Sequence, residues 1–161
     1  MENSVVTMAN EPMIARPMTS YNDVMSYLHT IHISPEDKRK VAKRLTEEVM
    51  GKNLSRVFER IDYLASLPAD WDGYGALPIS RQVILIIKKV LLISDDEDWK
   101  YWMISPAPNG TLGMQSKRHI ASISVGEEEY SFYSCNDGRE DWGDHVEFTP
   151  EKLLETMRQI V

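Results

Sequence analysis

Pro68-Ala69-Asp70-Trp71-Asp72-Gly73-Tyr74-Gly75-Ala76-Leu77-Pro78 divides the chain into two differently patterned parts. Two glycines and two flanking prolines within eleven residues exclude a helix or strand and set a defined loop. On its N-terminal side the apolar residues recur at helical spacing. On its C-terminal side, after one more helix, they recur at every second position. That change of period decides the fold class.

Upstream, Leu54, Val57, Phe58, Ile61, Leu64 and Ala65 form one helical stripe that ends just before Pro68. Asn53 or Ser55 starts it. Before it, Ser34-Pro35-Glu36-Asp37 is a helix start. Ser34 supplies the capping hydroxyl, Pro35 suits the first helical position, and the two acids oppose the helix dipole. Val41, Leu45 and Val49 follow every four residues, and Gly51 stops the helix. Residues 21–28 read as a short helix with Ser20 as cap and Asp23 three residues on. Residues 1–19, with Pro12 and Pro17 and no period, read as a flexible tail.

Downstream, Ser80 caps residues 81–93, a run apolar on nearly all sides and therefore expected to be a deeply buried helix. Residues 94–98 read as an acidic connector. Strands are expected at 101–105, 111–115, 120–125 and 130–135. Asn109-Gly110 predicts a type I′ hairpin turn between the first two. Residues 136–145 read as an acidic loop, with a short strand following at 145–148. Thr149-Pro150-Glu151 caps a final helix bearing Leu153, Leu154, Met157 and Ile160. The expected fold is therefore α+β: N-terminal helices, then a helix, an antiparallel three- or four-stranded β-meander and a C-terminal helix. The expected parts are a tail at 1–19, a helical segment at 20–67 and an α+β domain at 68–161.

Charge narrows the function classes. The net charge is −7, and it is unevenly spread. Residues 1–93 carry net +1 and residues 94–161 net −8. An acidic half of this kind disfavours phosphate neutralisation and complements a basic partner. Cys135 is the only cysteine, so no intramolecular disulfide forms, which fits a reducing compartment. The start shows no signal-peptide pattern, and the longest apolar run is too short to cross a bilayer. The expected location is cytoplasmic, away from membranes.

Candidate sites follow from these patterns. Trp71, Asp72 and Tyr74 are either partner-binding residues or a structural anchor, in which the two aromatic rings dock helices on the sheet. Lys38, Arg39, Lys40, Lys43 and Arg44 form a basic helix face that would contact nucleic acid or an acidic surface. Asp70, Asp72, Asp137, Asp141 and Asp144 are the carboxylates that would hold a metal ion. Asp-X-Asp-Gly at 70–73 is only part of a calcium loop, because no Glu stands at its twelfth position. His29 and His32 are three apart and lack a third ligand. No nucleophile elbow, phosphate-binding glycine loop or paired-carboxylate signature occurs, and no cofactor is expected.

Two resemblances add to this reading. Leu64–Pro68 as Leu-x-x-Leu-Pro, then Trp-Asp-Gly-Tyr-Gly-Ala, a helix, and a Pro-x-x-Asn-Gly turn resemble a widespread family of small uncharacterised bacterial proteins. That resemblance implies architecture and brings no activity. Residues 27–48 are similar to antitoxin-like N-terminal segments of Bacteroidetes proteins. Together these readings give a non-catalytic protein-binding module, of antitoxin or immunity type in a bacterial two-gene system. The helices of 34–67 would offer an interaction or homodimer surface. The alternatives are a metal-dependent enzyme using the acidic loops at 70–72 and 137–144, and nucleic-acid contact through helix 38–44.

Overall fold

The structure, a computed structural model, describes residues 18–161. The expected tail at 1–19 therefore falls almost wholly outside the described residues. The chain forms two compact units, one ending at Gly51 and one beginning at Lys52.

The first unit pairs α1 (Tyr21–Thr30) with α2 (Pro35–Met50). Ser20 caps α1 through a reciprocal pair with Asp23: the Asp23 N–H donates to Ser20 Oγ, and the Ser20 N–H donates to Asp23 Oδ2. In α2 the Asp37 N–H donates to Ser34 Oγ, and Pro35 sits in the first turn as expected. Gly51 ends the helix at φ +93°, where its N–H reaches Glu47 O.

The second unit is α+β. It contains α3 (Lys52–Ala65), α4 (Arg81–Ile93) and α5 (Pro150–Gln159) with five strands. These are β1 (Trp102–Pro106), β2 (Leu112–Ser116), β3 (Ile120–Val125), β4 (Glu129–Asn136) and β5 (Arg139–Glu147). The sheet is a meander, antiparallel throughout, in the order β1-β2-β3-β4-β5. It has five strands rather than three or four. The extra strand is β5, which occupies most of the stretch expected to be an acidic loop. The α3 helix belongs to this unit and packs on α4 and β1.

One sheet face builds the core. Trp102, Ile104, Leu112, Met114, Ala121, Ile123, Val125, Tyr130 and Ser134 alternate inward and are buried. The stripe of α3 (Leu54, Val57, Phe58, Ile61, Leu64) and that of α5 (Leu153, Leu154, Met157) are buried too. On α4 the buried residues are Val83, Ile84, Ile86, Ile87, Val90 and Leu91. Leu85, Leu92 and Ile93 are exposed, so α4 is amphipathic in place and not enclosed on all sides. The α4 helix packs against α3 and α5 and keeps an outer face toward solvent.

The acidic connector has a specific job. Asp96–Trp99 forms a short 3-10 helix whose side chains reach three elements. Asp96 accepts from the Leu54 N–H (2.9 Å) and the Asn53 amide (2.8 Å), capping α3. Asp98 receives both Nε and Nη2 of Arg158 on α5, each at 2.8 Å. Trp99 is 0% exposed, and its indole N–H donates to Ser94 Oγ at the end of α4.

The outer edge of β1 is closed by arginines of α3. Arg56 donates to Trp99 O and Trp102 O, and Arg60 donates to Ile104 O (3.0 Å). The alternate β1 carbonyls of Trp102 and Ile104 would otherwise stand unpaired at a sheet edge.

Two predictions follow from this hub. Trp99→Ala should lower unfolding free energy by about 3–5 kcal/mol, as large core aromatics do, measured by urea titration. Arg158 holds the Asp98 carboxyl below its ordinary value through their hydrogen bond, opposed by desolvation. A lowered carboxylate contributes stability above its unfolded pKa and loses it as pH falls through the folded value. Wild type should therefore lose melting temperature more steeply than Arg158→Leu between about pH 5 and about pH 2.

Candidate functional site

The loop after α3 is built by its own carboxylates. Asp70 takes φ +62°, a left-handed conformation that Asp tolerates better than most residues. Its N–H donates to Ala76 O (2.7 Å), and its Oδ1 accepts from the Gly75 N–H (2.7 Å). Asp72 Oδ1 accepts from the N–H groups of Tyr74 (2.8 Å) and Ala76 (3.1 Å). Gly73 and Gly75 both have positive φ, +75° and +87°. A Cβ would meet nothing at either position, so it is backbone conformation that selects glycine. Asp70 and Asp72 therefore serve the loop's backbone.

The aromatic residues of this loop separate. Trp71 is half-buried, and its indole N–H donates to Leu77 O (3.0 Å), closing its own loop. Tyr74 is 93% exposed at the tip. At that exposure Tyr74 packs into no core and docks no helix on the sheet. The residues that do bury here are Ala76 and Ile79.

The loop docks on the β1–β2 turn. The Leu77 N–H donates to Pro108 O (2.8 Å) and the Ser80 N–H to Gly110 O (2.9 Å). A Cβ on Gly110 would lie 2.9 Å from Pro78 O, so this approach requires glycine. The two motifs of the sequence, Trp-Asp-Gly-Tyr-Gly-Ala and Pro-x-x-Asn-Gly, thus meet in space. The turn is not type I′. Gly110 alone has positive φ (+83°), and its N–H donates to Ala107 O. Pro108, whose ring fixes negative φ, sets a type I turn followed by a left-handed glycine.

Type I′ geometry occurs instead at Asp137-Gly138, with φ +51° and +77°. This two-residue turn joins β4 to β5 and converts the expected acidic loop into a hairpin. Asp137 lies in the turn, whereas Asp141 and Asp144 lie along β5. Asp144 Oδ1 accepts from Ser131 Oγ (2.6 Å). Among the described residues no group of three or more His, Cys, Asp or Glu side chains is placed to hold a metal ion. Asp70, Asp72, Asp137, Asp141 and Asp144 do not converge, because a loop and an extended strand hold them apart.

A bulge breaks the regular ladder near the end of β5. Ser131 faces both Asp144 and His145 between the pairs Phe132–Gly143 and Tyr130–Val146. His145 takes φ +51° there, and its Nδ1 pairs with Glu129 Oε1 (2.6 Å). Gly143 is required because a Cβ would overlap the Phe132 ring. Next to it Trp142 is 71% exposed and stands opposite Tyr133, whose hydroxyl donates to Glu140 Oε1 (3.1 Å).

The basic residues of α2 do not form a single narrow face. At about 100° per residue, Lys38, Arg39, Lys40, Lys43 and Arg44 spread over about 240° of the helix. Lys40 also pairs with Glu36 (3.0 Å). His29 lies on α1 with Nδ1 near Met25 O (2.7 Å), and His32 lies beyond the helix end, so the two do not share one helical face. No described helix is long and apolar enough to cross a membrane.

Trp142, Tyr133 and His145 stand exposed on and beside the β4–β5 hairpin. Asp137-Gly138 directly after a clear strand was the available signal for the hairpin that presents them. The Glu129 hydrogen bond, aided by Asp144, raises the His145 pKa above 6.5. Its contribution to stability is therefore present below the ordinary histidine value and is lost as pH rises through the raised one. An NMR titration should place His145 above 6.5 and move it down in Glu129→Gln; identical titrations would contradict the pairing. Compared with protein-family models, curated proteins and solved structures, the chain matches none.

Proposed function

We infer that this chain is a non-catalytic protein-binding module and that the loop at 70–77 is its recognition element. The observation that carries this reading is Tyr74, held out at 93% exposure on a loop whose backbone is tied down by Asp70, Asp72 and Trp71. Leu77, also exposed, belongs to the same loop. A single exposed apolar residue is ordinary on a protein surface. A tyrosine on a loop of fixed shape is a different case. It offers a large amphipathic area with few rotatable bonds, and little order is lost on contact.

Catalysis finds less support. The ionisable groups of the loop, Asp70 and Asp72, hold backbone N–H groups, and the acids on β5 are spread along a strand. The antitoxin-like similarity of residues 27–48 supports one specific form of the binding reading: a role as antitoxin or immunity protein in a bacterial two-gene system. The excess of acid in residues 94–161 supports a basic partner. The resemblance to the Trp-Asp-Gly-Tyr-Gly-Ala family supports the loop as a shared structural device.

The test uses the purified full chain and the product of the neighbouring gene. Tyr74→Ala should weaken their association by about tenfold or more, as truncating an interface tyrosine does, with an unchanged melting temperature. Equal affinity in wild type and Tyr74→Ala, or no association at all, would overturn the reading.

A further inference from the structure

The β5 strand offers a second surface, independent of Tyr74. It ends the sheet, and among the described residues no strand pairs with its far side. The two-residue turn makes Asn136–Arg139 a hydrogen-bonded pair. Pairs then alternate, so Cys135–Glu140 and Tyr133–Trp142 are the non-hydrogen-bonded ones. The backbone N–H and C=O groups of Glu140 and Trp142 consequently point to the open edge. The regular ladder ends at Gly143, where the bulge begins.

The outer face of the sheet continues this edge. In register across the strands lie Met103, Gln115, Ser122, Tyr133 and Trp142. Met103, Tyr133 and Trp142 are exposed large apolar side chains of this row. Along β5 the charges are Glu140, Asp141, Asp144 and Glu147, against the single cation Arg139 and the titratable His145. At the opposite edge α3 has closed β1 with arginines, so β5 is where a new strand has room.

We propose that β5 accepts a short, Lys- or Arg-rich extended segment of a partner protein as a sixth strand, with a cation of that segment over the Trp142 ring. Backbone pairing with Glu140 and Trp142 supplies the added strand. The carboxylates select a basic sequence, and the exposed indole is the preferred ring for a cation. A second copy of this chain is the poorer occupant. Antiparallel β5–β5 pairing centred on Asp141 would set that carboxylate directly opposite its own copy, and like charges directly opposed are destabilising.

The experiment titrates labelled octapeptides into the full chain and follows fluorescence anisotropy. The probe alternates Thr and Lys, and the control alternates Thr and Glu. The Thr/Lys peptide should bind with affinity that falls as salt rises, and the Thr/Glu peptide should not bind. Glu140→Pro removes an N–H that the β4 ladder does not use, and an edge strand tolerates it. It should weaken binding at least tenfold, whereas Glu140→Thr, which keeps the N–H, should weaken it far less. Trp142→Ala, at an exposed site, should also weaken binding about tenfold without changing the melting temperature. Equal binding by Glu140→Pro and Glu140→Thr would overturn strand addition, and so would equal binding of the two peptides. Sedimentation showing a dimer of the free chain that Glu140→Pro dissolves would assign the edge to a second copy instead. None of these outcomes depends on Tyr74, so this proposal and the loop reading fail separately.

Discussion

Trp99 lies without solvent contact in a four-residue 3-10 turn whose neighbouring carboxylates reach out in two directions. Its indole ties back to Ser94 at the end of α4. Asp96 caps α3, and Asp98 clamps Arg158 of α5. The carbonyl of Trp99 itself receives Arg56, which also reaches β1. Three helices and the first strand are thus referred to one short segment. An aromatic of this size contributes through buried area, and the acids contribute direction. Separately, Tyr130 on the inward face of the sheet fixes β4 to α5, with its hydroxyl 2.7 Å from Thr156 Oγ1.

With that frame fixed, two surfaces are left free for different reasons. In the loop at 70–77 Ala76 is buried and Trp71 half-buried, while Asp70, Asp72 and two glycines define a path that carries its tip away from them. Tyr74 is exposed as a consequence. The β5 strand is free because it is last in the meander. Its charges, its bulge at His145 and its glycine against Phe132 are devices that keep an edge from pairing indiscriminately. Those same features leave a short regular stretch of ladder, which confines any added strand to a defined length and charge.

Much of the architecture was legible in the residues. Ser20, Ser34, Ser80 and Thr149 are helix caps in the structure, as their spacing to the following residues implied. The inward alternation of Ala121, Ile123 and Val125 reads directly as a strand. The polarity of β5 carries no strand signal over most of its length, because a strand exposed on both faces need not alternate; Asp137-Gly138 alone marks the hairpin. The turn types were exchanged for a local reason. Pro108 takes the i+1 position of the turn closed by Gly110 N–H on Ala107 O, so Asn109-Gly110 are not its two central residues, whereas Asp137-Gly138 are the central residues of theirs. The importance of Trp99 over Trp71 was hidden as well: Trp99 and Trp102 are both buried, and the Arg56 that reaches their carbonyls stands more than forty residues away, so local spacing carries no trace of it.

Residues 52–161 are expected to unfold as one cooperative unit around Trp99. Hydrogen exchange of the Trp99 indole N–H, followed across sub-denaturing urea, is the decisive measurement. Exchange should occur only through global unfolding, at the same free energy and urea dependence as the amides of β2 and β3. Exchange at a much lower free energy, with little dependence on urea, would show a locally opening turn and contradict that cooperativity.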